Sequence, residues 1–139
     1  MTAAPARIYV MDASAMLALG KGEPGGDVVE AILNDPRNVS YAHGMNLCEV
    51  FYIVRRDRGD TGAREVLQDL HSLGVTARED LDAAFRLEVG RLKADYAVAL
   101  PDCCGLALAL RVGGTFVTAD HKELDPVDAA GVCPIRFIR

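Results

Sequence analysis

The sequence predicts an α/β protein, a three-layer α/β/α sandwich with a central, mainly parallel sheet. Short apolar runs with strand character alternate along the chain with stretches of helical periodicity, the pattern of a parallel sheet covered by helices. The run at 7–11 is continuous and apolar enough for a strand buried on both faces. With 139 residues the chain is long enough for one domain with a core of its own, and we expect a single domain over 1–139.

The first half of the chain predicts two strands and three helices. The glycines and the proline at 20–26 separate the first two helices, and the turn at 35–38 precedes the second strand. In the third helix Leu47, Val50, Phe51 and Val54 recur at i, i+3, i+4 and i+7, the spacing of an apolar helix face. The predicted elements are a strand at 7–11, helices at 15–19 and 27–34, a strand at 39–42 and a helix at 44–58.

The second half continues the alternation after a predicted loop at 59–62. One helix is expected to present Leu81, Ala84, Phe85, Val89 and Leu92 as its apolar stripe. Gly113 and Gly114 end the helix that Pro101 begins. The predicted elements are helices at 63–73, 80–94 and 101–110, strands at 75–76, 115–118 and 134–138, and an irregular or short helical stretch at 119–131.

Composition excludes several classes of protein. Half of the residues are hydrophobic and a quarter are charged, so the chain is neither disordered nor fibrous. Its 15 basic and 20 acidic residues give a net charge of −5, which argues against binding nucleic acid by bulk charge. A protein of this charge needs a local positive charge, such as a metal ion, to bind phosphate.

No sequence feature indicates a membrane, a signal peptide or a disulfide framework. The apolar run at 8–11 is too short for a signal-peptide core, and no stretch approaches the roughly 20 apolar residues of a membrane span. We expect a cytoplasmic protein whose cysteines are small buried residues rather than zinc ligands. These cysteines are Cys48, Cys103, Cys104 and Cys133.

Four acidic residues are candidates for a shared site. Asp12 and Asp120 follow predicted strands, and ligands of an open parallel sheet bind beyond the carboxyl ends of its strands. Asp102 opens a helix and joins them only if that helix begins at the same edge. Glu49 has no lysine or arginine three or four residues away on its helix, so a helix-surface ion pair does not account for it.

Each acid also has a structural explanation. Asp12 is placed to cap a helix, Asp102 lies in a favourable first turn, and Asp120 with Glu123 resembles a capping box. Glu49 taken alone fits a solvated helix position. The four together favour a divalent-cation site, because clustered carboxylates repel one another unless an ion neutralises them.

Four short motifs follow one another along the chain: Val10-Met11-Asp12-Ala13-Ser14, Asn46-Leu47-Cys48-Glu49-Val50, Leu100-Pro101-Asp102-Cys103 and Val117-Thr118-Ala119-Asp120. Motifs of this kind in this order resemble PIN domains, and more narrowly the VapC toxins of bacterial toxin–antitoxin pairs. The resemblance implies a single PIN-like domain over 1–139 and a metal-dependent endoribonuclease that hydrolyses RNA phosphodiester bonds, for which we expect in-line attack of water.

The resemblance assigns roles to seven residues. The catalytic and metal-binding carboxylates, for Mg²⁺ or alternatively Mn²⁺, would be Asp12, Glu49, Asp102 and Asp120. The supporting polar side chains would be Ser14, Asn46 and Thr118. Many relatives carry a further acid or histidine and an aromatic residue after the last aspartate. Here His121-Lys122-Glu123-Leu124 follows instead, which leaves open whether Glu123 or Asp125 joins the site.

The partners implied by the resemblance are an RNA substrate, a cognate antitoxin protein and a second copy of the chain in a homodimer. Arg55 and Arg56 belong to a basic cluster at a predicted helix end and are candidate RNA contacts. Solvated arginines at a helix C-terminus also interact favourably with the helix dipole. The basic cluster therefore has a purely structural explanation as an alternative to RNA binding.

Three other functions stay open from the sequence. His43, His71 and His121 would be the groups available for metal-free acid–base cleavage of RNA. A receiver-like signalling module with a phospho-acceptor aspartate is a second alternative, although no lysine follows the last predicted strand. The third is a catalytically inactive PIN domain that binds RNA or protein.

Overall fold

One five-stranded, all-parallel sheet organises the structure. The computed structural model describes residues 7–139, and its strands lie side by side in the order β3-β2-β1-β4-β5. Because β1 pairs with both β2 and β4, the first strand of the chain lies at the centre of the sheet. The strands are β1 (Arg7–Met11), β2 (Asn38–His43), β3 (Val75–Arg78), β4 (Thr115–Thr118) and β5 (Ile135–Phe137).

Six helical segments cover the sheet on both faces. The predicted three-layer α/β/α sandwich is therefore confirmed. Within residues 7–139 we find no helix with the length and hydropathy required to cross a membrane. The helices are α1 (Ala13–Lys21), α2 (Gly26–Asn34), α3 (Gly44–Leu73), α4 (Ala83–Asp95), α5 (Leu100–Val112) and α6 (His121–Ala129).

Two hydrophobic cores lie on opposite faces of the sheet, because successive strand side chains point to opposite sides. Met11 and Val117 pack into the core beneath α1, α2 and α3, whereas Val10 and Phe116 pack into the core beneath α4, α5 and α6. All four side chains are fully buried. β1 and β4 therefore have apolar side chains on both faces, as a strand covered by helices on both sides requires.

The structure corrects the prediction for the third helix. Residues 44–73 form one helical segment that is interrupted only at Gly59, where φ is 74° and ψ is 180°. The predicted interruption is therefore present, but it is confined to Gly59 instead of extending over 59–62, since one glycine with a positive φ is enough to change the direction of the helix.

The start of the fourth helix and two burial predictions are also corrected. α4 begins at Ala83 rather than at residue 80, and both Leu81 and Ala84 are exposed, so the predicted apolar stripe is reduced to its last three members. Cys48 is exposed instead of buried. His43, which directly precedes α3, is only 1% exposed.

Candidate metal centre

The carboxyl edge of the sheet collects the predicted acids. Asp12 directly follows β1, and Asp120 lies two residues after β4, which pairs with β1. α5 runs back towards the amino end of β4, so its first turn, which carries Asp102, starts at the same edge. Asp102 was expected to join the other acids only if its helix begins at their edge of the sheet, and the direction of α5 meets this condition.

Asp12 caps α1 and is held in place on both carboxylate oxygens. Its Oδ1 accepts hydrogen bonds from the Ala15 backbone N–H at 2.9 Å and from Ser14 Oγ at 2.7 Å. Its Oδ2 accepts a hydrogen bond from Thr118 Oγ1. Burial raises the pKa of Asp12 to about 6, although these three hydrogen bonds lower it and the charge of Glu49 adds a small increase.

Ser14 and Thr118 also connect the loop after β4 to the start of α1. Ser14 Oγ accepts a hydrogen bond from the Ala119 N–H at 2.8 Å, and Thr118 Oγ1 accepts one from the Asp120 N–H at 3.0 Å. The two hydroxyl groups thereby fix the position of Asp12 relative to Asp120. Both hydroxyls donate to the Asp12 carboxylate and accept a backbone N–H from the loop after β4.

The tightest group of acids consists of Asp102, Asp120 and Glu123. One carboxylate oxygen from each lies within 4.8 Å of the others. Asp120 caps α6 by accepting a hydrogen bond from the Glu123 N–H at 3.1 Å, so Asp120 and Glu123 share the first turn of that helix. Within residues 7–139 this is the single set of three potential ligand atoms that lies so close.

Asp102 and Glu49 are electrostatically coupled to the same cluster. Burial raises the pKa of Asp102 to about 8, with further increases from the charge of Asp12 and a hydrogen bond to Glu123. Burial also raises the pKa of the half-buried Glu49, and the charges of Glu123 and Asp120 raise it further. Repulsion among five carboxylates is therefore the dominant interaction at this edge, after the cost of desolvating them. We call this set the acidic cluster; its members are Asp12, Glu49, Asp102, Asp120 and Glu123.

The acidic cluster has the properties of a site for a hard divalent cation. No member forms an ion pair with a lysine or arginine among the residues that the structure describes. All candidate ligand atoms are carboxylate oxygens, which Mg²⁺ and Mn²⁺ prefer. Oxygens on opposite sides of an ion at about 2.1–2.4 Å lie about 4.2–4.8 Å apart, so the closest three can share one ion.

Asn46 lies behind the cluster in the first turn of α3. Its side chain is fully buried, and among residues 7–139 neither Oδ1 nor Nδ2 has a hydrogen-bond partner. A β-carbon at Gly105 would lie 2.9 Å from Asn46 Oδ1 and 2.7 Å from Phe116 Cε1, so this glycine lets α5 approach closely. The buried amide therefore lies against α5 one turn after Asp102, with its polar atoms unused by other side chains.

Two of the three histidines have both ring nitrogens occupied by structural contacts. His43 Nδ1 accepts a hydrogen bond from the Met45 N–H at 3.1 Å, which leaves Nε2 to donate to the Asp80 carbonyl at 2.8 Å. His121 pairs with Asp125 at 2.8 Å and with the Arg139 carbonyl at 2.7 Å. Neither histidine presents a free nitrogen for acid–base chemistry.

The predicted RNA contacts lie on the exposed part of α3 before Gly59. Arg55 lies 3.5 Å from Asp60 in an exposed ion pair, and the guanidinium of Arg56 lies 4.9 Å from the centre of the Tyr52 ring. Exposed ion pairs of this kind contribute little to stability, so these arginines are available to a ligand.

A groove of about 560 Å³ lies away from the acids, at the amino ends of the strands. It is bordered by α2 and by Tyr9, Asn38, Thr115 and Arg136. No member of the acidic cluster lines it. We therefore place the candidate site at the acidic cluster, because carboxylates with raised pKa values mark a functional site better than the volume of a groove does.

Glu123 is the member of the cluster that sequence reasoning left open. The signal was present as the spacing Asp120-x-x-Glu123, which was interpreted as a capping box. In the structure the Asp120 N–H donates to Thr118 instead of to Glu123, so the glutamate is free to enter the cluster. Asp125 is held by His121 outside that close set.

Comparison with known proteins agrees with the class of protein that this sheet and cluster define, an α/β domain with clustered carboxylates at the carboxyl edge of its sheet. The profile of the PIN domain family matches residues 9–129. The chain therefore belongs to the PIN domain family. No curated protein matches the sequence.

Solved structures with the same fold include three VapC-containing proteins. VapBC2 from Rickettsia felis, bound to promoter DNA, has a TM-score of 0.71 and 14% identity, over 94% of this chain and 98% of that one. VapBC from Salmonella typhimurium, bound to DNA, has a TM-score of 0.70 and 16% identity, over 96% and 99%. VapC20 from Mycobacterium tuberculosis, a sarcin-ricin loop cleaving toxin, has a TM-score of 0.68 and 17% identity, over 88% and 95%.

Proposed function

We propose that this protein is a metal-dependent endoribonuclease, the VapC-type toxin of a type II toxin–antitoxin module. The observation that carries the proposal is the convergence of five carboxylates, without a cationic side chain among them, at the carboxyl edge of a PIN-domain sheet. The cleavage of an RNA loop by VapC20, which has the same fold, supports RNA as the substrate.

Asp102 and Asp120 would hold the ion, for which we propose Mg²⁺ with Mn²⁺ as a substitute. A bound divalent cation supplies positive charge to the phosphate and makes water more acidic. Such a charge also explains how a chain of net charge −5 binds a polyanion. Oxygen ligands alone do not distinguish the two metals.

The remaining acids would orient and deprotonate the attacking water. Asp12, fixed by Ser14, Thr118 and Ala15, holds a carboxylate at the back of the site. Glu49 lies outside the closest three acids but within their electrostatic field. We assign its carboxylate as the group that accepts the proton of the water, because a base must lie near the ion without being neutralised by it.

Cleavage of RNA by the purified protein tests this proposal. We expect Mg²⁺ or Mn²⁺ to be required, products with 5′-phosphate and 3′-hydroxyl ends, and a loss of at least about a hundredfold in rate for Asp102→Asn. The matched control is Asp69→Asn, which removes the same charge from an exposed position on α3. Full activity in EDTA, or in Asp102→Asn, would exclude the mechanism. Metal binding without any cleavage would instead favour an inactive, binding PIN domain.

An antitoxin and a second copy of the chain are the partners that we propose. The complexes from Rickettsia felis and Salmonella typhimurium, in which VapC is found with VapB, support the first. Expression of the wild-type chain alone should arrest bacterial growth, whereas Asp102→Asn should not. Sedimentation of the purified chain at micromolar concentration measures whether it is a dimer, and a monomer at that concentration would contradict the second proposal.

A further inference from the structure

We propose that Glu123 is a direct ligand of the cation held by Asp102 and Asp120, and that the same carboxylate positions the helix that carries Asp102. This inference rests on the proposed function, because it assigns a residue to the metal site of that function. It concerns the first turn of α6, directly after the aspartate that follows β4.

The first argument is the bond that Glu123 does not make. A glutamate three residues after a capping residue normally accepts a hydrogen bond from the backbone N–H of that residue. Here the Asp120 N–H donates to Thr118 Oγ1 at 3.0 Å, so the capping box is only half closed. The carboxylate of Glu123 therefore does not bond the Asp120 N–H and extends towards the carboxylates of Asp102 and Asp120. One of its oxygens lies within 4.8 Å of a carboxylate oxygen of each.

The second argument is a contact with the start of α5. Glu123 Oε2 accepts a hydrogen bond from the backbone N–H of Ala99 at 3.3 Å, and Ala99 is the residue that precedes the first turn of α5. The Ala99 side chain provides no cap of its own. An oxygen of the same carboxylate also lies within 4.8 Å of one from Asp102, in the first turn of α5. One glutamate therefore links the first turn of α6 to the first turn of α5.

The neighbouring polar residues of α6 do not share this geometry. Asp125 pairs with His121 at 2.8 Å, both side chains are exposed, and the ring of His121 stacks on Phe137 with centroids 4.1 Å apart. Lys122 is exposed and forms no ion pair with the acidic cluster. The contrast makes Asp125 the natural control, since it carries the same charge on the same helix, two residues away.

The two roles of Glu123 separate in the variant Glu123→Gln. Glutamine keeps an oxygen that accepts the Ala99 N–H and so preserves the link to α5, but it removes the negative charge that a cation needs. We expect calorimetric titration of the RNA-free protein with MnCl₂ to show at least about a tenfold loss of Mn²⁺ affinity. The melting temperature without metal should be equal to or higher than that of the wild type, because repulsion within the cluster is reduced.

The controls are Asp125→Asn, which should bind Mn²⁺ like the wild type, and Glu123→Asp, which keeps the charge on a shorter side chain and should have intermediate affinity. Wild-type affinity in Glu123→Gln would overturn the inference. If that result were accompanied by loss of Mn²⁺ binding and RNA cleavage in Asp102→Asn, the proposed function would stand without Glu123. A wild-type protein that binds no Mn²⁺ at millimolar concentration would overturn both.

Discussion

Asp12 shows how one side chain serves the fold and the site together. It is 2% exposed and accepts three hydrogen bonds, one of which caps α1. The structural explanation of Asp12 as a helix cap is therefore confirmed, and its place at the carboxyl end of β1 fits the proposed functional role. A helix cap at the carboxyl end of a central strand places a carboxylate where a ligand binds, so the two roles require the same residue.

At the residue scale, the raised pKa values of the cluster predict how stability depends on pH. In the metal-free protein Asp102, with a pKa of about 8, binds its proton more tightly than in the unfolded chain, where carboxylates titrate near 4. The folded state therefore holds more protons in this window, and its stability falls as pH rises from about 4 towards 8.

Asp102→Asn should remove most of this slope. In EDTA we expect the substitution to stabilise the protein by about 1–3 kcal/mol at pH 8 and to have little effect at pH 4.5, where the native carboxyl is already protonated. Urea unfolding at both pH values measures the difference, and Asp69→Asn provides the comparison. A destabilised Asp102→Asn protein at pH 8 would contradict the assignment of desolvation and charge repulsion as the main costs of an ionised Asp102.

His43 gives a second prediction at this scale. Its ring caps α3, donates to the Asp80 carbonyl and stacks on Phe85 with centroids 5.4 Å apart. His43→Ala removes the cap, leaves a buried carbonyl unsatisfied and creates a cavity, for an expected loss of about 2–4 kcal/mol. His71→Ala, on the exposed face of α3, should change the free energy of unfolding by less than about 0.5 kcal/mol. Equal effects in urea unfolding would refute the structural role of His43.

At the scale of elements, the break in α3 depends on a single glycine. Gly59 has φ 74° and ψ 180°, a conformation that side chains with a β-carbon rarely adopt. Gly90 lies inside α4 with open space around its α-carbon. The same substitution should therefore have opposite effects at the two positions.

Gly59→Ala should destabilise the protein by about 1–3 kcal/mol, because the strained backbone of residue 59 allows no relief by side-chain movement. Gly90→Ala should stabilise it by about 0.5–1 kcal/mol through the higher helix propensity of alanine. Thermal unfolding of the two variants beside the wild type checks both signs, and stabilisation by Gly59→Ala would show that α3 does not require this break.

The strands were predictable from sequence, whereas the start of α4 was not. The apolar run of β1 and the glycine pair Gly113-Gly114 before β4 identify these two strands without knowledge of their neighbours. The choice between Asp80 and Asp82 as the cap of α4 depends instead on Arg111, a residue of α5. Its guanidinium lies 3.0 Å from the Asp80 carboxylate and 2.6 Å from the Asp82 carboxylate. Arg78 holds Asp80 at 2.8 Å, so Asp82 is left to accept the Phe85 N–H. Contacts across some 30 residues carry no local sequence signal.

At the scale of the whole molecule, the site forms because parallel strands end at one edge. The rule predicted that Asp12 and Asp120 would meet, and the backward course of α5 brings Asp102 to them. It could not predict Glu123, because its position depends on a hydroxyl of Thr118 taking the Asp120 N–H. Nor could the rule show that Asn46 is buried without hydrogen-bond partners.

Divalent metal should stabilise the whole fold. Because ions bind the assembled cluster and not the unfolded chain, Mn²⁺ at a hundred times its dissociation constant adds about 2.7 kcal/mol. We expect a higher melting temperature in MnCl₂ than in EDTA, and no such increase for Asp102→Asn. NaCl at matched ionic strength controls for screening. An identical increase in NaCl would show that the acids bind no specific ion.

The sheet order has a consequence for synthesis of the protein. The central strand β1 leaves the ribosome before its neighbour β4, which begins only at Thr115, and before the acids of α6. A growing polypeptide that ends before residue 123 lacks part of the constellation, however well its earlier portion has folded. The proposed nuclease activity would therefore be absent from every nascent chain that has not been synthesised beyond residue 123.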